Sequence, residues 1–511
     1  HRDLHSFPTR RSSDLKDEHF LPAFEEAIRI NMAEVRAIAD NPDPATFENT
    51  LVALEKSGQD LTRVSRIFFN LVATDSNPER LNIESTMSPK LAAHSDNITL
   101  DQKLFARIKQ LYDGREKSGL DAESIRLIEL FYERFVRAGA ELNEEQKAAI
   151  RALNEEHSRL TNKFSQNLLA ETRKIAVVVD RREELEGLSE SEISTAQLEA
   201  KKRGLEGKYL LKITNTTRQP VLSSLHNRSL RQKIWEASAY RAQTGETDNR
   251  PLIARIVQLR AKRARLLGQK DFAHYVLQPQ MAQAPKAVLE MLGGMLPAVL
   301  ANTEREADAI RKMIRQKGGD FELQPWDWEY YAEFVRQAQY KIDENEVKEY
   351  FELNRVLKDG LFHTMNRLYG IRFEKRKDLP VYHEDVEVYE VFDAEGKSLA
   401  LFYADYFIRD GKRGGAWMSS FVTLSSLLDQ KPVVINAMNI PKAPSGSPTL
   451  ISYDHATTMF HEMGHALHGM FSNVKYPSLA GTSVSRDFVE FPSTFHRSEE
   501  RRVGKECRSR W

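Results

Sequence analysis

Hydrophobic positions recur with a helical period through most of the first 200 residues. Phe24, Ala27, Ile28, Val35 and Ile38 fall on one helical face. Ile150, Leu153, His157, Leu160, Phe164 and Leu168 form a heptad-like stripe that predicts one long helix, with His157 packed into its interface. The pattern breaks at "GKYLLKITN" (207–215) and "PVLSSL" (220–225), both read as short strands. This places a domain boundary near 220 and gives an N-terminal helical domain over 16–220. Helical patterning returns through 226–372. There "RAKRAR" (260–265) reads as a solvated charged face, and "WDWEYYAEF" (326–334) as core aromatics. The period then shortens. "VEVYEVF" (386–392) and "LALFYADYF" (399–407), joined by "DAEGKS", predict a hairpin. "RGGAWMSSF" (413–421) and "PVVINAMNI" (432–440) are two more strand candidates. A loop, "PKAPSGSP" (441–448), leads into a helix predicted over 453–472. The expected fold class is mainly α, with a small β-sheet close to this last helix.

The chain has 511 residues, room for two or three domains with a large buried core. Hydrophobic residues at 41% and charged residues at 29% are an ordinary globular balance. No apolar run is long enough to predict a membrane span. The ends read differently from the rest. Written as codons, Arg497 to Glu500 have a complementary strand that reads Ser12 to Leu15 in one frame. Residues 1–15 and 497–511 thus look like one DNA segment translated from both strands, as in sequencing-adapter read-through, and they are set apart from the fold. The second domain then runs from 221 to 496. Without the ends the chain carries a small net negative charge, which gives no reason to expect a nucleic-acid partner. The one cysteine, Cys507, lies in the C-terminal stretch, so disulfides and thiol chemistry are excluded from the remainder. Cytoplasm and periplasm are both compatible, the true N-terminus being lost. The sequence does not give the oligomeric state; a monomer is expected.

The densest chemistry lies in "FHEMGHALHGMF" (460–471). His461 and His465 are four apart, about 6 Å along a helix axis and on one face. Two imidazoles so placed can converge on one zinc ion at Zn–N distances of about 2.1 Å. Glu462 stands next to the first of them, where a carboxylate can take a proton from an attacking water and pass it to a leaving amine. His468 lies about 10.5 Å from His461 along the axis and cannot reach the same ion, so it is read as structural. A third histidine ten positions after His461 would mark another metallopeptidase class, but that position is Phe471. The third ligand must come from the carboxylates of "SRDFVEFPS", Asp487 and Glu490. Ser485 can cap a helix start there. Glu490 has the longer reach; Asp487 would steady a ligand by hydrogen bonding. A glutamate on a second helix further along is the gluzincin layout.

The stretch "FHEMGHALHGMFSNVKYPSLAGTSVSRDFVEFPS" resembles the thimet-oligopeptidase family of zinc peptidases, in its bacterial peptidyl-dipeptidase branch. "PWDWEYYAE", "YFELNRVL" and "GKRGGAWMSSF" resemble it too, and the similarity covers nearly all of 16–496. The resemblance implies a two-lobed, mostly helical zincin-type fold with a deep cleft. It implies one Zn²⁺ per chain held by His461, His465 and Glu490, with Glu462 as general base. It implies that "GGAWM" is an edge strand pairing with substrate backbone, which makes Gly415 and Ala416 substrate-binding candidates; strand addition reads any side chain through main-chain hydrogen bonds. A narrow channel would admit only short or unfolded peptides, and the branch removes C-terminal dipeptides. Thr494 stands where a glutamine is usual. The family continues beyond position 496 with tyrosine and histidine residues that stabilise the oxyanion, so this 511-residue chain is expected to be inactive, the loss of such a donor alone costing about 10²–10³ in rate.

Two other readings remain. One is an endo-acting oligopeptidase of the same family, told apart by its products. The other is a catalytically silent, peptide-binding helical protein, which the intact His461-Glu462…His465 set argues against.

Overall fold

The computed structural model describes residues 16–213, 219–341, 344–443 and 446–497. The end segments 1–15 and 498–511 lie outside them. The first third is built from helices whose starts are written locally. Asn77, Asp101, Asp121 and Asn143 each accept a hydrogen bond from the N–H three residues on, opening helices Pro78–Thr99, Gln102–Gly114, Ala122–Ala138 and Glu144–Lys174. The predicted stripe on helix Phe20–Ala39 is buried at Phe24, Ala27, Val35 and Ile38. Phe24 packs edge-on against Phe68 of helix Gln59–Thr74, with ring centroids 5.3 Å apart. His157 is half-buried as expected on helix Glu144–Lys174 and accepts a hydrogen bond from Arg260 at 3.3 Å.

Two short elements depart from the periodicity. Residues 220–225 are not a strand: Pro220–Ser223 is a 3₁₀ turn, opened by proline at a first helical position. The strand over 207–215 narrows to β2 (Tyr209–Lys212). It pairs antiparallel with β1 (Ala176–Val179), four residues that follow the long helix and carry too little length to show a period of their own. The "RAKRAR" run is only partly solvated. Arg260 lies over the Phe272 ring and Arg263 donates to Tyr275 Oη, both turned inward by aromatic neighbours. In "WDWEYYAEF" the aromatics do form a core, around a fully buried Asp327 that is ion-paired to Arg228 and Arg231.

The five-stranded sheet comprises β3 (Arg372–Arg376), β4 (Glu387–Phe392), β5 (Ser398–Phe407), β6 (Trp417–Val422) and β7 (Val433–Ile440) in the order β3-β4-β5-β7-β6. β4 and β5 are the predicted hairpin. β7 runs parallel to β5 and antiparallel to β6, which is an edge. Alternation sorts the side chains onto two faces. Val388, Leu401, Tyr403, Val433 and Ile435 form one small core. Tyr389, Phe402, Tyr406, Val434 and Met438 face the other way and pack under helix Tyr453–Met470.

The end of β5 is fastened to the N-terminal helices by buried charge. Asp405 is fully buried and accepts from Arg409, from Lys412 (2.8 Å) and from Tyr382 (2.5 Å). Arg409 also donates to Thr74 O at 2.7 Å. Burial pushes the Lys412 ammonium down to about 8 even against the attraction of Asp405. Removing the carboxylate leaves two buried cations without it. Asp405→Ala is expected to destabilise the fold by about 3–5 kcal/mol, read from the midpoint of urea unfolding at constant m.

Candidate metal centre

Helix Tyr453–Met470 begins where Ser452 Oγ accepts the His455 N–H at 3.2 Å. Its apolar face, Ala456, Met459, Met463, Ala466, Leu467 and Met470, is buried on the sheet. That anchoring fixes the rotation of the helix and turns His461 and His465, both half-buried, to the opposite side. The two rings stand perpendicular, with centroids 5.0 Å apart.

Glu490 meets them there. One oxygen, Glu490 Oε2, lies 3.3 Å from His461 Nε2 and 3.2 Å from His465 Nε2. A tetrahedron with arms of about 2.0–2.1 Å has edges of about 3.3 Å, so two of the edges a zinc ion would need are already in place. Among the described residues these three form the one group of histidine and acidic ligand atoms that converges, all within 4.8 Å of one another. Burial is the chief cause that lowers both imidazoles below the usual histidine range, which keeps ring lone pairs free for a metal near neutral pH. Burial would raise the Glu490 carboxyl, but the hydrogen bond from Ser493 Oγ (2.9 Å) and the two imidazoles outweigh it and hold the group below its ordinary value. The donor set, two imidazoles and one carboxylate, fits zinc.

Glu462, next to His461 on the helix, is buried. Burial, reinforced by the charge of Glu490, pushes its carboxyl up to about 7. Such a group can hold or release a proton near neutral pH.

His468 stays out of the cluster. Its ring packs against Phe488, with centroids 6.5 Å apart. Asp487, expected to steady a ligand, points away: its two oxygens accept the N–H groups of Met281 and Ala282 at 3.0 and 2.9 Å. The residue that supports Glu490 is Ser493. Ser485 caps no helix, because the helical stretch begins only at Glu490, and Ser485 Oγ donates to Pro279 O instead. Gly415 and Ala416 lie just ahead of β6 rather than within it. Gly415 is exposed at φ +90°, a conformation that suits glycine, and its carbonyl accepts from Asn439 Nδ2 at 2.7 Å.

Gly464, inside the "HEMGH" stretch, is a functional position that side-chain chemistry does not reveal. A Cβ there would lie 2.6 Å from Ser493 Cα and 2.9 Å from Pro492 O. The missing side chain lets the segment carrying Glu490 cross directly over the histidine helix. The signal available in the sequence is a glycine in a helix interior, where it costs about 1 kcal/mol and needs a packing reason.

With this geometry in view, comparison with known proteins defines the class: the sequence model of peptidase family M3 matches residues 221–498. The chain belongs to peptidase family M3 and is a metallopeptidase. It is 44% identical to the dipeptidyl carboxypeptidase of Escherichia coli (strain K12) over 480 residues, which cover 94% of this chain and 70% of that protein. It is 30% identical to oligopeptidase A of Salmonella typhimurium over 501 residues, covering 96% of this chain and 73% of the relative. Among solved structures, a putative oligoendopeptidase F from Bacillus anthracis str. Ames is similar at a TM-score of 0.42 and 13% identity, covering 87% of this chain and 64% of that one. No helix of the described residues is long and apolar enough to cross a membrane.

Two outcomes follow from the site. Gly464→Ala is expected to destabilise the protein by about 1–3 kcal/mol through overpacking against Ser493 and Pro492, measured by urea unfolding of the metal-free protein. Glu462 has a raised folded pKa, so its ionisation erodes stability as pH climbs from its ordinary value of 4.5 through about 7. Metal-free Glu462→Gln should therefore match the parent near pH 4 and exceed it by up to about 3 kcal/mol at pH 8, in paired unfolding curves.

Proposed function

We propose that the chain is a zinc-dependent peptidase that releases C-terminal dipeptides from short or unfolded peptides, with His461, His465 and Glu490 holding the metal. The single observation that carries this reading is the convergence of both imidazoles on one oxygen of Glu490, at 3.2 and 3.3 Å. The name borne by the 44%-identical relative, dipeptidyl carboxypeptidase, supports the product class. When bound, zinc supplies Lewis-acid polarisation of the scissile carbonyl and acidifies the attacking water.

The chain's own residues do the rest. Glu462 takes a proton from the water onto its carboxylate as the water adds to the carbonyl carbon. It then delivers that proton to the departing amine nitrogen, and the C–N bond breaks. Its raised pKa suits both halves of this transfer. β6 is the last strand of the sheet, and with Gly415 and Ala416 just ahead of it, it is the strand beside which a peptide would lie as an added strand. Such recognition is indifferent to side chains and suits a peptidase of broad sequence tolerance.

The family also holds relatives named oligopeptidase, which keeps endo-cleavage as the second reading. A peptide blocked at its N-terminus and free at its C-terminus separates the two. Dipeptides appearing stepwise from the C-terminus support the proposal, whereas one internal cut supports the endo-acting alternative. Glu462→Gln should retain one zinc per chain and lose about 10²–10⁴ in rate. Full activity in that variant, or in protein stripped of metal by a chelator, would sink the mechanism.

A further inference from the structure

The stretch between His465 and Glu490 leaves the histidine helix at Met470 and must return to it to complete the triad. It is tethered at two places. Early on, the fully buried Tyr476 sits in the N-terminal helical core, its hydroxyl 2.8 Å from Ser124 Oγ, while Glu123 accepts the Lys475 N–H at 2.6 Å and the Tyr476 N–H at 3.2 Å. Late on, residues 485–487 dock against 279–282, the segment that precedes helix Pro285–Gln316. Ser485 Oγ donates to Pro279 O at 3.2 Å, and the Arg486 N–H donates to Gln280 Oε1 at 2.6 Å. The N–H groups of Met281 and Ala282 donate to the two oxygens of Asp487 at 3.0 and 2.9 Å. Three consecutive residues are thus latched by four hydrogen bonds, two of them on one ionised carboxylate, the strong kind.

Glu490 follows Asp487 by one turn. Its own carboxylate is largely exposed, so no packing around the side chain fixes its aim. Ser493 Oγ donates to its Oε2 at 2.9 Å, and the backbone that carries both residues is held by the Gly464 crossing on one side and by the Asp487 latch on the other.

We infer that Asp487 is a positioning residue of the metal centre: by clasping the Met281 and Ala282 N–H groups it holds the turn that presents Glu490, and so sets the affinity of the centre for its metal. The inference rests on the reading of His461, His465 and Glu490 as the metal ligands. A ligand already held in place needs no further ordering when the ion arrives, whereas a ligand on a loosened turn must be ordered at that moment. Loss of the latch should cost about tenfold in metal affinity, the lower end of what supporting residues around metal ligands contribute.

The test is zinc affinity, measured by competition with a chromophoric chelator, on the parent chain and on Asp487→Ala, Asp487→Asn and Glu490→Gln. Asp487→Ala should bind zinc about tenfold more weakly, with faster hydrogen exchange at the Met281 and Ala282 amides and an unchanged urea midpoint in the metal-free state. Asp487→Asn, which keeps one acceptor oxygen, should recover part of the loss. Glu490→Gln should lose about a hundredfold or more. Wild-type affinity in Asp487→Ala together with weak binding in Glu490→Gln overturns the latch and leaves the metal assignment standing. Wild-type affinity in Glu490→Gln overturns the assignment itself. Should Asp487→Ala fail to fold, Gln280→Ala removes the neighbouring acceptor of the Arg486 N–H; a shift of about threefold in zinc affinity supports the latch, and no shift overturns it.

Discussion

Two imidazoles one helical turn apart can hold an ion only weakly, and they face solvent unless a third donor arrives from elsewhere. The structure depends on that third donor, Glu490 Oε2, settling 3.2–3.3 Å from both rings. The other features of the catalytic half can be read as ways of securing this meeting. The sheet fixes the helix from below through Met459, Met463, Leu467 and Met470. Gly464 opens the crossing above, and Ser493 directs the carboxylate.

The ionisable groups of this region are shifted in different directions. Burial lowers His461 and His465, the neighbours of Glu490 lower its carboxyl against burial, and burial beside Glu490 raises Glu462 to about 7. Two carboxylates at one site with opposite shifts are the pattern that the proposed division of roles, Glu490 as ligand and Glu462 as proton carrier, would require.

The N-terminal helices contribute to the site without lining the triad. Arg409 binds Thr74 O from the buried Asp405 cluster, beside the loop that leads into β6. Tyr476, in the loop after the histidine helix, is buried among Leu104, Leu127 and Phe135. Both connections put the geometry of the catalytic half under the control of a helical core built from distant sequence.

Some of this was legible in the sequence because it is local. The spacing of His461 and His465 is a statement about one helical turn. The hairpin of β4 and β5 follows from alternation and a turn, and the caps at Asn77 and Asp121 act on residues three positions away. Side-chain length favours Glu490 over Asp487 as the residue that reaches the rings, and Glu490 Oε2 does meet them; nothing within "SRDFVEFPS" shows that the amides of Met281 and Ala282 are waiting for the Asp487 carboxylate. The strand order β3-β4-β5-β7-β6, the contact that requires Gly464, the role of Ser493 and the burial of Tyr476 were decided by tertiary structure alone. Periodicity records which face of an element is buried, but it is silent on which distant element does the burying, and the metal centre is made of such distant meetings.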